Sequence, residues 1–192
     1  MKNKKMFYGQ NCSGRLGEKK TVICVVGSKE DINFAKFIRD LDLKNIKKEL
    51  NEKNFLEALE LAKKYKILVS IIEISSDQFN SWKRLLSNYP HWFAKLYGII
   101  CYHALKPVIN DGYIQLDKEY DQKTLETAVR TLLSLIDNKV DIYLRKEHEY
   151  PTNRIIVADL FARGYFRKFN CTGLIINRDI IIKNETQKVF RK

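Results

Sequence analysis

The chain has 192 residues, with 35 Lys and Arg against 23 Asp and Glu, for a net charge of +12. Its 45% apolar content, with only 8 Gly and 3 Pro, excludes a disordered, collagen-like or linker-dominated chain. A chain of this length buries roughly 70% of its unfolded surface and needs no disulfide or structural metal to fold, and a pI near 9.5 suits a polyanionic partner.

Met6-Phe7-Tyr8 predicts a short strand ending at Gly9, followed by a small polar turn over residues 10–17. Residues 21–26 are a β-branched run and predict a buried strand, hairpin-paired with the first. Asp31 is placed to cap a helix carrying Phe34, Phe37 and Ile38. Residues 43–66 space Ile46, Leu50, Phe55, Leu56 and Leu59 mostly three or four apart, which predicts a helix. A third strand is expected over residues 67–74. Ser76 or Asp77 then opens a helix through Phe79, Trp82 and Leu85, and Pro90 opens another to about Leu105.

Residues 113–116 predict a fourth strand with Asp117 at its carboxyl end. An amphipathic helix over 123–136 follows, then a fifth strand over 140–144 and a charged loop to Pro151. A helix over 153–169 is capped by Thr152 or Asn153. The tail, residues 173–183, carries apolar runs on either side of Asn177-Arg178-Asp179 and predicts a hairpin or an edge strand. This order implies an α/β three-layer sandwich: a mixed five-stranded sheet with helices on both faces. Residues 1–192 read as one domain, with 171–192 a C-terminal extension.

Cys12, Cys24, Cys101 and Cys171 form no CxxC pair and have no His at zinc-knuckle spacing. Free thiols are therefore expected. The basic start lacks an apolar run of signal-peptide length, and residues 92–109 are interrupted by Lys95, His103 and Lys106. The expectation is a cytoplasmic protein with no membrane segment. His91, His103 and His148 lack metal-ligand spacing and are given solvated or core roles.

Three acids stand at positions that attract attention. Asp117 ends a strand, Glu149 lies in the loop after the fifth strand, and Asp159 sits inside a helix between Ala158 and Leu160. A carboxylate on a packed helix face needs a partner, because burying an unpaired charge is costly. That partner is a divalent cation, solvent at a cleft, or simply Arg163 at i+4. An acid on a strand end and one on a helix form a set of hard oxygen ligands suited to Mg²⁺ or Mn²⁺, ions that assist phosphodiester cleavage.

Gly9-Gln10-Asn11-Cys12-Ser13-Gly14-Arg15 resembles the opening of ribonuclease HII, Gly-Ile-Asp-Glu-Ala-Gly-Arg-Gly. It also resembles an uncharacterised ribonuclease-H-like family that opens with Asp-Glu-Ser-Gly. Residues 155–163, with Ala158-Asp159-Leu160, resemble the Ala-Asp-Leu-Leu-Ala helix of the second family and, more loosely, a helix of ribonuclease HII. Asp117 matches the central strand aspartate of both. The resemblance spans about residues 6–170 and implies a ribonuclease-H-like fold. It also implies a metal-dependent nuclease site of Asp117, Asp159 and Glu149 with Mg²⁺ or Mn²⁺, acting on RNA or DNA. Arg15 follows the turn as the arginine of the ribonuclease HII motif does and is implied as a phosphate or sugar contact, whereas Arg163 and Arg167, at i and i+4, read either as nucleic-acid phosphate contacts or as plain surface charge. The two templates divide on whether Asp159 or Glu149 is the last acid. Where both families carry Asp-Glu, this chain has Asn11-Cys12, so the first position is altered and catalysis is weakened, lost or moved to a set including Glu73. The alternative is a non-catalytic nucleic-acid-binding protein of the same fold.

Overall fold

The computed structural model describes residues 5–43, 46–117, 120–136, 140, 142–144 and 152–190. The strands are β1 (Met6–Ser13), β2 (Lys20–Ser28), β3 (Leu68–Ser75), β4 (Gly112–Leu116), β5 (Ile142–Leu144) and β6 (Ile175–Asn177). They form one sheet in the order β5-β4-β1-β2-β3-β6. β1, β2 and β3 make an antiparallel meander, whereas β4 lies parallel to β1, β5 to β4 and β6 to β3. The sheet is thus mixed. The five expected strands are present, and the tail supplies the expected edge strand as a sixth, β6.

Eight α-helices complete the described chain: α1 (Ile32–Leu41), α2 (Ile46–Glu49), α3 (Glu52–Lys64), α4 (Ser76–Leu86), α5 (Trp92–Leu105), α6 (Gln122–Leu135), α7 (Asn153–Phe166) and α8 (Lys183–Val189). Alternation along the strands divides the core in two. Met6, Tyr8, Cys12, Ile23, Ile72 and Ile114 pack with α4, α5, α6 and α8. Val22, Cys24, Val26, Val69 and Ile71 pack with α1, α3 and α7. No helix among the described residues is long and apolar enough to cross a membrane.

Four local expectations change. Residues 10–13 continue β1 instead of turning, because Gln10 and Asn11 are buried with hydrogen-bond partners and the ladder with β2 runs on to Ser13. The single helix expected over 43–66 breaks at Leu50 and Asn51, where the Asn51 side chain accepts a hydrogen bond from the Asn54 amide and caps α3. Asp31 makes no side-chain cap to α1, and its carboxylate lies 2.7 Å from the buried Arg154 guanidinium on α7. The tail adds α8, held by the buried Ile180, Ile182 and Phe190.

α8 docks on α5 through a buried pair. His103 Nε2 lies 3.5 Å from Glu185 Oε2, with side chains 11% and 13% exposed. Burial pushes the His103 imidazole below its ordinary range, and Glu185 partly opposes that shift. The folded state therefore prefers neutral His103. The stability this contributes is present above about pH 6.5 and is lost as pH falls below it. Urea midpoints should drop between pH 7.5 and 5.5, and His103→Gln should remove that part of the drop. An unchanged pH dependence in the variant would show that other groups govern it.

Candidate functional site

β1 lies at the centre of the sheet, and its odd residues Phe7, Gly9, Asn11 and Ser13 face α7. The approach at Gly9 is close: a Cβ there would stand 2.6 Å from Arg154 backbone carbon. Only glycine lets α7 seat this near the strand. The last β1–β4 ladder pair is Gln10 with Leu116, so Asn11 and Asp117 are the next residues out at the carboxyl ends of two parallel strands. The Asp117 amide donates to Gln10 carbonyl oxygen at 3.0 Å. Asn11 Nδ2 donates to Asp117 Oδ2 at 2.9 Å. These two sequence-predicted positions are therefore in direct contact.

Asp159 projects from α7 above the same face. It is close enough to Cys24, the β2 partner of Asn11 in the ladder, to act on its thiol. Burial first, then Cys171 and Asp159, push that thiol well above its ordinary value. Cys24 is thus a core thiol with no exposure to solvent. Asp159 Oδ2 accepts from Arg163 Nε at 2.7 Å, with side chains 18% and 30% exposed.

Cys12 is not beside Asn11 in function. Strand alternation sends its side chain to the opposite face, into the apolar cluster with Leu16 and Phe79, and its thiol donates to Gly14 carbonyl oxygen at 3.0 Å. Glu73 also faces α7, but it is engaged: Tyr165 hydroxyl donates to Glu73 Oε2 at 2.5 Å, and Arg178 Nε donates to Tyr165 hydroxyl at 2.8 Å. Desolvation, reinforced by Glu73, raises the Tyr165 pKa. This network ties the tail to β3 and α7. Its members Tyr165 and Arg178 carry no local sequence signal beyond the Asn-Arg-Asp turn. Glu149 lies outside the described residues, as does His148.

Of the predicted cationic contacts, Arg15 is exposed on the turn after β1. That turn is built on Gly14 at φ +77, where a Cβ would meet Lys20 carbonyl oxygen at 2.5 Å. Arg167 Nη1 donates to Leu50 carbonyl oxygen at 2.7 Å and so braces the break between α2 and α3. Beside the turn, Lys20 Nζ sits 4.8 Å from the ring centroid of the half-exposed Phe166.

Mg²⁺ and Mn²⁺ require several hard oxygen ligands. Asp117 Oδ2 already accepts an amide and Asp159 Oδ2 a guanidinium. Among the described residues, no three of His, Cys, Asp and Glu gather as a metal-holding group. The described residues therefore do not make up a centre for such an ion.

No protein-family model matches the sequence, and no curated protein matches it. Solved structures match the fold. Ribonuclease H2 from Pyrococcus horikoshii OT3 aligns with TM-score 0.61 and 14% identity, covering 95% of this chain and 76% of that one. Ribonuclease HII from Archaeoglobus fulgidus, solved in a complex with PCNA, aligns with TM-score 0.52 and 12% identity, covering 95% and 77%. Bst-RNase HIII, solved in complex with Mn²⁺, aligns with TM-score 0.56 and 16% identity, covering 98% of this chain and 62% of that one. The chain has the ribonuclease-H-like fold.

Proposed function

We propose that this protein binds nucleic acid across the carboxyl ends of β1 and β4, beneath α7, and holds it without cutting it. The observation that carries this reading is the hydrogen bond from Asn11 to Asp117. A bare carboxylate repels phosphate, and in a metal-dependent nuclease divalent ions bridge the two. Here an amide satisfies Asp117 and the Arg163 guanidinium balances Asp159. One of the two carboxylate charges is thus balanced without a metal ion, while Asp117 keeps its own. The net charge of +12 and the exposed Arg15 favour the approach of a phosphate. The reading draws on the kinship of fold with ribonucleases HII and HIII.

The second reading is a metal-dependent nuclease acting on RNA or DNA. It is favoured by Asp117 lying on the sheet face that α7 covers and Asp159 lying on α7 itself, by Glu149 following in the chain, and by the Mn²⁺ in the ribonuclease HIII neighbour. Fluorescence anisotropy with an RNA–DNA hybrid, single-stranded RNA and duplex DNA separates the two. The first reading expects binding in EDTA and no product with Mg²⁺ or Mn²⁺. If three phosphates are neutralised, affinity should fall roughly 40-fold from 50 to 200 mM salt. Cleavage that needs Mn²⁺ and disappears in Asp117→Asn would establish the second reading. No binding to any of the three would end both.

A further inference from the structure

At the far end of the sheet from Asn11, where β1 begins and β2 ends, lies a cavity of about 510 Å³. Its size falls within the range of roughly 300–1,000 Å³ typical of small-molecule sites. From Met6 on its wall to Asn11 is five residues of strand, roughly 17 Å, so it is separate from the site above. Its rim carries Lys29, Lys64 and Lys66 against one carboxylate, Glu30. Lys64 is committed to Asp40 at 2.9 Å. Lys29 and Lys66 form no ion pair among the described residues, and both are exposed.

The interior of the cavity is ordered. The fully buried Ser28 hydroxyl accepts from Asn33 Nδ2 at 3.1 Å, and the same amide nitrogen donates to Tyr65 carbonyl oxygen at 3.1 Å. Together they fix the junction of β2, α1 and α3. Met6, Leu68 and the Tyr65 ring give an apolar wall, and Leu68 remains 43% exposed. Lys66 holds φ +52, a left-handed conformation that glycine or asparagine adopts at less cost at a helix end. Lys66 in this conformation lines the rim of the cavity.

We infer that this cavity binds a small phosphate monoester carried on a flat ring, of mononucleotide size. The uncommitted lysines take the phosphate, the Leu68–Met6–Tyr65 wall takes the ring, and Glu30 accepts from a sugar hydroxyl. The inference stands apart from the proposed nucleic-acid site.

The test is calorimetric titration of the full chain with AMP, adenosine and inorganic phosphate at 50 mM salt. AMP should bind one per chain and at least tenfold tighter than either fragment. Lys29→Glu combined with Lys66→Glu should weaken AMP at least tenfold, with an unchanged circular dichroism spectrum and melting temperature. Asp117→Asn, at the other end of β1, should leave AMP binding unaltered. The inference is overturned if AMP binds no better than adenosine or phosphate, or if the double variant binds it equally well. AMP that is displaced only by single-stranded RNA and not by inorganic phosphate also overturns it, because the cavity would then serve a polymer.

Discussion

Asn11→Asp should add to the stability of this protein a loss with rising pH, opposite in sign to the His103 effect, and a dependence on divalent ions. The substitution replaces an amide that donates to Asp117 Oδ2 at 2.9 Å with a second carboxylate. Two unit charges about 4 Å apart repel by roughly 4 kcal/mol at an effective dielectric of 20. Relaxation and proton sharing should reduce the net cost to about 2 kcal/mol at pH 7. The melting temperature should then fall by about 4–8 °C in EDTA. One carboxyl of the pair takes a folded-state pKa above its unfolded value of about 4, so the folded state binds the extra proton. Stability is then greatest at low pH and declines as pH rises through the raised pKa. Mn²⁺ should restore the lost stability, because the pair would supply the two oxygens that the native amide withholds. A melting temperature that ignores Mn²⁺ and follows the same course between pH 4 and 8 as that of the unsubstituted protein would show that Asn11 and Asp117 are not in contact. Cys12→Glu should behave differently. It would bury a carboxylate among Leu16 and Phe79, destabilise the fold and recruit no metal.

Gly9→Ala should be strongly destabilising through the seat of α7 on β1. The new Cβ would lie 2.6–2.7 Å from backbone atoms of Arg154, and backbone does not swing aside as a flexible side chain does. Either β1 or α7 must move. Overpacking of this kind costs about 2–3 kcal/mol, or roughly 4–12 °C in melting temperature. Because α7 also carries Asp159 and Arg163, the folded fraction should bind nucleic acid more weakly while its far-ultraviolet spectrum stays native. Calorimetric melting and anisotropy on the same preparation check both parts. Native melting with native affinity would mean that α7 has free space over β1.

The strands with β-branched runs were legible in the sequence because each is buried on both faces and reads as continuous apolar character. The end of β1 was not. Gln10 and Asn11 look like turn residues until their distant partners Tyr97 and Asp117 are known, and those lie 87 and 106 positions away. The same misreading hid the face on which Cys12 lies, since alternation has no meaning until the strand is recognised. Asp117 at a strand end was legible from its place after an alternating run. Asp159 was legible as an unusual helical carboxylate, and its i+4 neighbour Arg163 proved to be the partner the spacing allowed. Arg167 shows the reverse. Its i+4 relation to Arg163 suggested a shared phosphate contact, while the break at Leu50 claims its guanidinium. The cavity at Lys29 and Lys66 had no linear signal, because three separate connections assemble it.

β6 has a bearing on solubility. β3 would otherwise present a row of unpaired amides and carbonyls along an isoleucine-rich border, the kind of template on which identical chains stack strand upon strand. β6 is only three residues long, and it covers that border at Ser70, Ile71 and Ile72. Arg178, pinned by Tyr165 and near Glu73, anchors it from the following residue. The tail thereby shortens the open length of β3 along which a second chain could pair.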